Sequence, residues 1–176
     1  MKHNEVLIVF TVRPYSEAAL KDLIGVYQAA FAEPPWNESW SAEDVEKDLR
    51  FAQQQKDSIV LVASQLGKLV GFTWGYKIPL EKFPFLRNLV DQNANYMDEI
   101  AVTGQRRLCG IGKQLGSSYL DEVCARGQKQ SVLRTDERNS ASMALFAGIG
   151  YEPVRGPLGV IYDPEFSNRV YLRRNL

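Results

Sequence analysis

The chain has 176 residues, 45% of them hydrophobic and 24% charged, which is ordinary for one globular domain built around one core. Its 21 Lys and Arg balance its 21 Asp and Glu, which argues against a general binder of nucleic acid or of anionic membranes. Cys109 and Cys124 make no disulfide framework, the lone His3 makes no metal cluster, and no apolar run approaches the roughly 18 residues of a membrane span. Residues 1–6 interleave charge with apolar side chains, unlike a secretion signal, so a reducing, cytoplasmic location is the expectation.

Val6 to Arg13 is rich in Val, Ile, Phe and Thr and predicts a strand, ended by Pro14. Ser16 is placed to cap a helix whose stripe is Leu20, Leu23, Ile24, Tyr27, Ala30 and Phe31, broken at Glu33-Pro34-Pro35-Trp36. Ser41 and Asp44 open a second helix, to about Gln55, with Val45, Leu49 and Ala52 on one face. Ile59 to Ala63 predicts a strand, and Leu66-Gly67-Lys68 a hairpin turn into Leu69 to Ile78. Alternation there sets Val70, Phe72, Trp74 and Tyr76 against Gly71, Thr73 and Gly75. Pro79 to Asn95 is irregular, but Phe83, Phe85, Leu86, Leu89 and Val90 suit a short helix or a lid over a pocket.

Tyr96 to Val102 predicts the central strand, followed by a helix from Gly112 to Gly127 that buries Ile111, Leu115, Tyr119, Leu120 and Val123. Ser131 to Thr135 is a strand, Asn139 caps a helix to about Ala147, and Tyr151 to Arg155 and Arg169 to Leu172 are the last strands, with a further candidate at Gly159 to Tyr162. This order predicts a single α/β domain over residues 1–176, with a mixed sheet.

The stretch Arg107-Leu108-Cys109-Gly110-Ile111-Gly112-Lys113 carries the most information. Two glycines a residue apart let the backbone turn tightly, the following helix adds the positive end of its dipole, and Arg107 and Lys113 add charge. Such a turn holds an anion, a phosphate or pyrophosphate. A nucleotide-triphosphate loop requires Gly and Ser/Thr where Arg107 and Gln114 stand, and Gly110, Gly112 and Gly116 are one residue too long for the dinucleotide fingerprint. A nucleotide-binding module is therefore disfavoured.

Arg107, Gly110 and Gly112 form Arg-x-x-Gly-x-Gly, which resembles the acyl-CoA pyrophosphate loop of the GNAT superfamily of N-acetyltransferases. Asn139, Leu145, Phe146, Gly150 and Tyr151 resemble the family's downstream signature, and Glu99-Ile100-Ala101-Val102 looks like its central strand; together the matches run from Tyr96 to about Val154. The resemblance implies a central mixed sheet that splays, flanked by about four helices, with acetyl-CoA in the cleft. It also implies that the pantetheine arm pairs with Ile100, Ala101 and Val102, and that the backbone of Leu108, Cys109, Gly110, Ile111, Gly112 and Lys113 grips the pyrophosphate while Arg107 neutralises charge. By the same resemblance Asn139 reaches the cofactor arm, although capping its helix would occupy it equally, and a homodimer is possible.

Acetyl transfer to an amine requires a neutral amine, a donor for the oxyanion and a proton for the leaving thiolate. An N–H of Ile100 or Val102 suits the oxyanion. Glu99 is the candidate general base, and alternation predicts that Asp98 points to the other face. Where the family often has a Tyr as general acid, this chain has Phe146, which can pack against the cofactor but donates no proton. Either the thiolate leaves unaided, or Tyr119, Tyr151 or water serves. The acceptor, implied to lie between the first two helices and the central strands, is expected to be a small-molecule or peptide amine, with Trp36, Trp74 and Glu33 as candidate contacts. The mix of aromatic and acidic residues suits a polyamine, an aminoglycoside-like sugar or a peptide amine. A catalytically silent CoA-binding or regulatory domain on the same fold is the alternative.

Overall fold

The structure, a computed structural model, describes residues 10–34, 36–104 and 110–176. In chain order the elements are β1 (Thr11–Pro14), α1 (Leu20–Phe31), α2 (Ala42–Gln54), β2 (Ile59–Gln65), β3 (Lys68–Lys77), β4 (Asn95–Val102), α3 (Ile111–Ala125), β5 (Gln130–Asp136), α4 (Ser140–Gly148), β6 (Glu152–Pro153), β7 (Arg155–Gly156), β8 (Gly159–Val160) and β9 (Arg169–Asn175). One seven-stranded sheet runs β1-β2-β3-β4-β5-β9-β6, and β7 and β8 form a small separate hairpin. Every pairing in the large sheet is antiparallel except β4 with β5. This is the mixed α/β architecture that the order of elements predicts.

Two cores form, one on each face of the sheet. α1 and α2 bury Leu23, Tyr27, Val45 and Leu49 against Phe72, Trp74 and Tyr76 on one face. On the other, α3 buries Ile111, Leu115, Tyr119 and Val123 against Leu61, Met97 and Leu133. The stripes read from the sequence are the buried faces, because a helix lying on a sheet must turn its apolar side inward. Gly71 and Gly75 let α3 lie close to the sheet. A Cβ at Gly75 would stand 2.0 Å from the Tyr119 hydroxyl and 2.1 Å from the Tyr96 carbonyl.

Several local expectations are corrected. Pro14 lies within β1, opposite Leu61, because an edge strand tolerates the missing N–H. Ser16 makes no side-chain cap and precedes a 3₁₀ turn at Glu17–Ala19. Ser41 does cap α2, accepting from the Asp44 N–H at 3.0 Å. Val70 leaves the face of Phe72 and packs on the α3 side, since the β2–β3 register slips at Ala63/Ser64 and inverts the alternation there. Residues 79–94 hold the short helix Pro84–Leu86 but form no lid. Their Phe83 and Phe85 pack edge-on against Tyr171 at 5.7 and 5.4 Å, closing the end of the α1–α2 core. Tyr151 to Arg155 is two fragments rather than one strand, with β7 turned away to pair with β8.

Candidate active site

The site forms where the sheet comes apart. β4 and β5 are partners only from Asn95–Met97 to Ser131–Leu133. Beyond that the strands diverge, β4 staying with β3 and β5 with β9. The Thr103 N–H donates to the Val70 carbonyl on β3 at 2.9 Å. Alternation back along the strand therefore turns the amides of Val102 and Ile100 towards the gap.

Two cavities open along this gap and share Phe31, Trp36, Ile100 and Ser142. The larger, of about 520 Å³, runs past Ile100, Ala101 and Val102 to Gly110, Gly112 and Lys113, with Asn139 and Leu145 on its far wall. The smaller, of about 310 Å³, lies between Asp98 and Glu99 on β4, Tyr27 and Phe31 on α1, and Arg134 and Arg169 beyond the split.

In the larger cavity the start of α3 is built to receive an anion. Gly110 has φ +80°, a left-handed conformation that favours glycine, and stands at the N-cap without a side-chain cap. α2 and α4 differ: Ser41 and Asn139 each place a side-chain oxygen on their first amides. At α3, among the described residues, no capping side chain takes up those amides, and the positive end of the dipole faces the cavity. Gly112 lines the slot, and a Cβ there would meet Leu145 at 3.4 Å. Lys113 lies beside it, while the Ile111 side chain is buried in the α3 core. Arg107, Leu108 and Cys109 lie outside the described residues. Asn139 both lines the slot and caps α4, its Oδ1 accepting from the Ser142 N–H at 3.1 Å.

The smaller cavity overturns the expected separation of the two acids. Trp74 pairs with Glu99 and Gly75 with Met97, so Asp98 is an extra residue on β4, a bulge. Tyr96 and Ala101 both pack in the α1–α2 core, which odd–even counting along an unbroken strand forbids. The bulge therefore brings Asp98 and Glu99 to the same cavity. It is held by the Thr73 hydroxyl donating to the Glu99 carbonyl at 2.8 Å and by the Tyr76 hydroxyl donating to Asp98 Oδ2 at 3.1 Å. Both side chains keep some surface in the cleft but are otherwise walled by protein. Desolvation, then the neighbouring Asp98 charge, pushes the Glu99 carboxyl well above the usual carboxylate range. Desolvation raises Asp98 too, opposed by its bond from Tyr76.

The remaining expectations divide. Trp36 lines both cavities. Trp74 does not contact them; it is 1% exposed and stacks on Phe72 at 4.8 Å, because its strand position faces α1. The Glu33 carboxylate stands against Gly104 and lines neither cavity. Phe146 lines the smaller cavity and packs edge-on with Tyr151 at 5.7 Å. Tyr119 and Tyr151 are excluded as proton donors to this site: the first bonds Asn95 and the second Ser131, both inside the protein. Sequence reading set Asp98 on the wrong face and missed Arg134 and Arg169. Only their arrangement in space marks them, since charged residues in strands are ordinary in any sequence. Among the described residues, no group of three or more His, Cys, Asp or Glu is placed to hold a metal ion, and no helix is long and apolar enough to cross a membrane.

Known proteins share the fold and the family. A mycothiol acetyltransferase from Thermobispora bispora is 28% identical over 137 residues, covering 76% of this chain but only 42% of that protein, so the chain spans less than half of that relative. The ribosomal-protein-S18-alanine N-acetyltransferase of Escherichia coli superposes with a TM-score of 0.66 at 18% identity, over 95% of this chain and 94% of that one. The PaiA N-acetyltransferase of Thermoplasma acidophilum, solved in complex with coenzyme A, does so with a TM-score of 0.71 at 16% identity, over 96% and 99%. The sequence profile described as the acetyltransferase (GNAT) family matches residues 23–151, and the chain belongs to that family.

Proposed function

We propose that this protein is an acetyl-CoA-dependent N-acetyltransferase that moves an acetyl group to a primary amine by direct attack in a ternary complex. The observation that carries this reading is the meeting of two cavities at Ile100. One ends at the N-terminus of α3, where Gly110 supplies no side-chain cap; the other contains two neighbouring, desolvated carboxylates. Coenzyme A fits the larger cavity: the amides of Gly110 to Lys113 suit its pyrophosphate, and the Ile100 backbone facing the gap suits its amide-bearing arm. When bound, it supplies an activated acetyl thioester.

The chain's own residues then divide the work. Glu99 accepts the proton of the incoming ammonium, directly or through water, and burial, which raises its pKa, makes it a stronger base than an ordinary carboxylate. Burial first, and the Asp98 charge second, keep that pKa raised, and Tyr76 holds Asp98 in place. The amide of Ile100 or Val102 faces the gap where negative charge develops on oxygen. With Phe146 lacking a hydroxyl, and Tyr119 and Tyr151 bonded elsewhere, the thiolate leaves unaided or takes its proton from water. Asn139 serves first as the α4 cap.

Phe146 also favours a second reading, a silent CoA-binding domain on the same fold. Calorimetry with acetyl-CoA, paired with a thiol-release assay over a panel of amines, separates the two. Binding with release supports the transferase, binding without release for any amine supports the silent domain, and no binding overturns both.

A further inference from the structure

The smaller cavity holds acids on one arm of the split sheet and a cation on the other. Asp98 and Glu99 stand on β4, and Arg169 opens β9, paired with Asp136 of β5. The other charges in this cavity are already engaged. Arg134 Nη1 donates to Asp163 Oδ2 at 2.6 Å, and Glu38 Oε2 accepts from Trp40 Nε1 at 2.9 Å. Asp136, the carboxylate nearest in register to Arg169, feels the Arg169 charge but accepts its hydrogen bonds from two Arg138 nitrogens, at 3.0 and 2.6 Å. Arg169 instead lies between rings, 4.3 Å from the Phe166 centroid and 5.9 Å from that of Trp36. Among the described residues no carboxylate pairs with its guanidinium. The rings fix the position of the cation without occupying its N–H fork, whose geometry matches a carboxylate.

We propose that Arg169 anchors a carboxylate carried by the amine acceptor, so that the acceptor class is a small zwitterion of the α-amino-acid type. This deepens the N-acetyltransferase reading and rests on it. The amine lies at Asp98 and Glu99 and the carboxylate at Arg169, each end of the acceptor meeting opposite charge on its own arm of the sheet. A cavity of about 310 Å³ suits a free amino acid better than a folded peptide chain. It also disfavours a polyamine, whose second ammonium meets Arg169.

The test compares matched acceptors with the full chain and acetyl-CoA: phenylalanine, phenylalaninamide and phenethylamine, and the same series built on leucine. The carboxylate form is expected to exceed its amide and decarboxylated partners in kcat/KM by about tenfold to a hundredfold, the usual effect of a charge-assisted pair. R169Q is expected to bring that ratio close to one, and R169K to keep part of it. A wild-type ratio near one in both series, or an R169Q variant that keeps the ratio, overturns the proposal while leaving the transferase reading intact. Turnover of no amine overturns both. If R169Q fails to fold, the wild-type ratios decide.

Discussion

Replacing Glu99 with Gln separates catalysis from stability in opposite directions. The side chain keeps its shape but can no longer accept a proton. Loss of a general base lowers kcat by about 10²–10⁴-fold, or about 3–5 kcal/mol of barrier, at neutral pH. That exceeds the roughly 1.5–3 kcal/mol of a lost charge-assisted hydrogen bond. Affinity for acetyl-CoA should be spared, because the amides that line its slot begin at Gly110. Stability moves the other way. Burial and Asp98 raise the Glu99 pKa in the folded state, whereas an unfolded Glu ionises near pH 4.3. Between those two values the folded protein holds more protons, so wild-type stability falls as pH rises through the window and stays lower above it. E99Q should therefore melt higher than wild type at pH 8, by about 2–4 °C for each kcal/mol relieved, and the difference should vanish below about pH 4. Steady-state kinetics from pH 5 to 9 and thermal melts at the same pH values measure both effects. The wild-type rate should fall on acidification through a pKa above the ordinary carboxylate range, and E99Q should lack that limb. A variant within twofold of wild type at pH 7, or one that melts lower at pH 8, refutes the assignment.

Other outcomes follow from the same geometry. Gly112→Trp should abolish coenzyme A binding by calorimetry, because the slot wall at Leu145 leaves an indole no direction but the slot itself; unchanged affinity sinks the loop assignment. Gly75→Ala should cost about 3 kcal/mol or more, lowering Tm by about 6–12 °C, since its Cβ would stand 2.0 Å from the Tyr119 hydroxyl and 2.1 Å from a backbone carbonyl. Denaturant melts check this, and a loss under 1 kcal/mol would show that α3 can shift. Asp98→Asn should move the acid limb of the rate profile to lower pH by removing the charge that raises Glu99; an unmoved limb removes Asp98 from the site. Phe146→Tyr should raise kcat if proton delivery to the thiolate limits the rate, and leave it unchanged if acylation of the amine does.

Much of this protein is decided locally and is therefore legible from residue order. The helix stripes, the Ser41 and Asn139 caps and the Gly110–Gly112 turn follow from period, side-chain chemistry and backbone freedom. Each depends on neighbours within about four positions. What only the tertiary structure decides are the breaks in period. The register slip that removes Val70 from its expected face, and the bulge that sets Asp98 beside Glu99, arise from strand pairing with residues far along the chain. The expected opposition of the two acids failed because alternation holds only while the ladder is unbroken. Trp74 failed as an acceptor contact because its place facing α1 depends on how the layers stack. Arg169 became visible only once β9 returned beside β5, setting the chain's last strand across the cavity from residues seventy positions earlier. A sequence carries its short-range physics in plain order. The convergence of distant side chains on one cleft is a property of the folded sheet and of the split between β4 and β5.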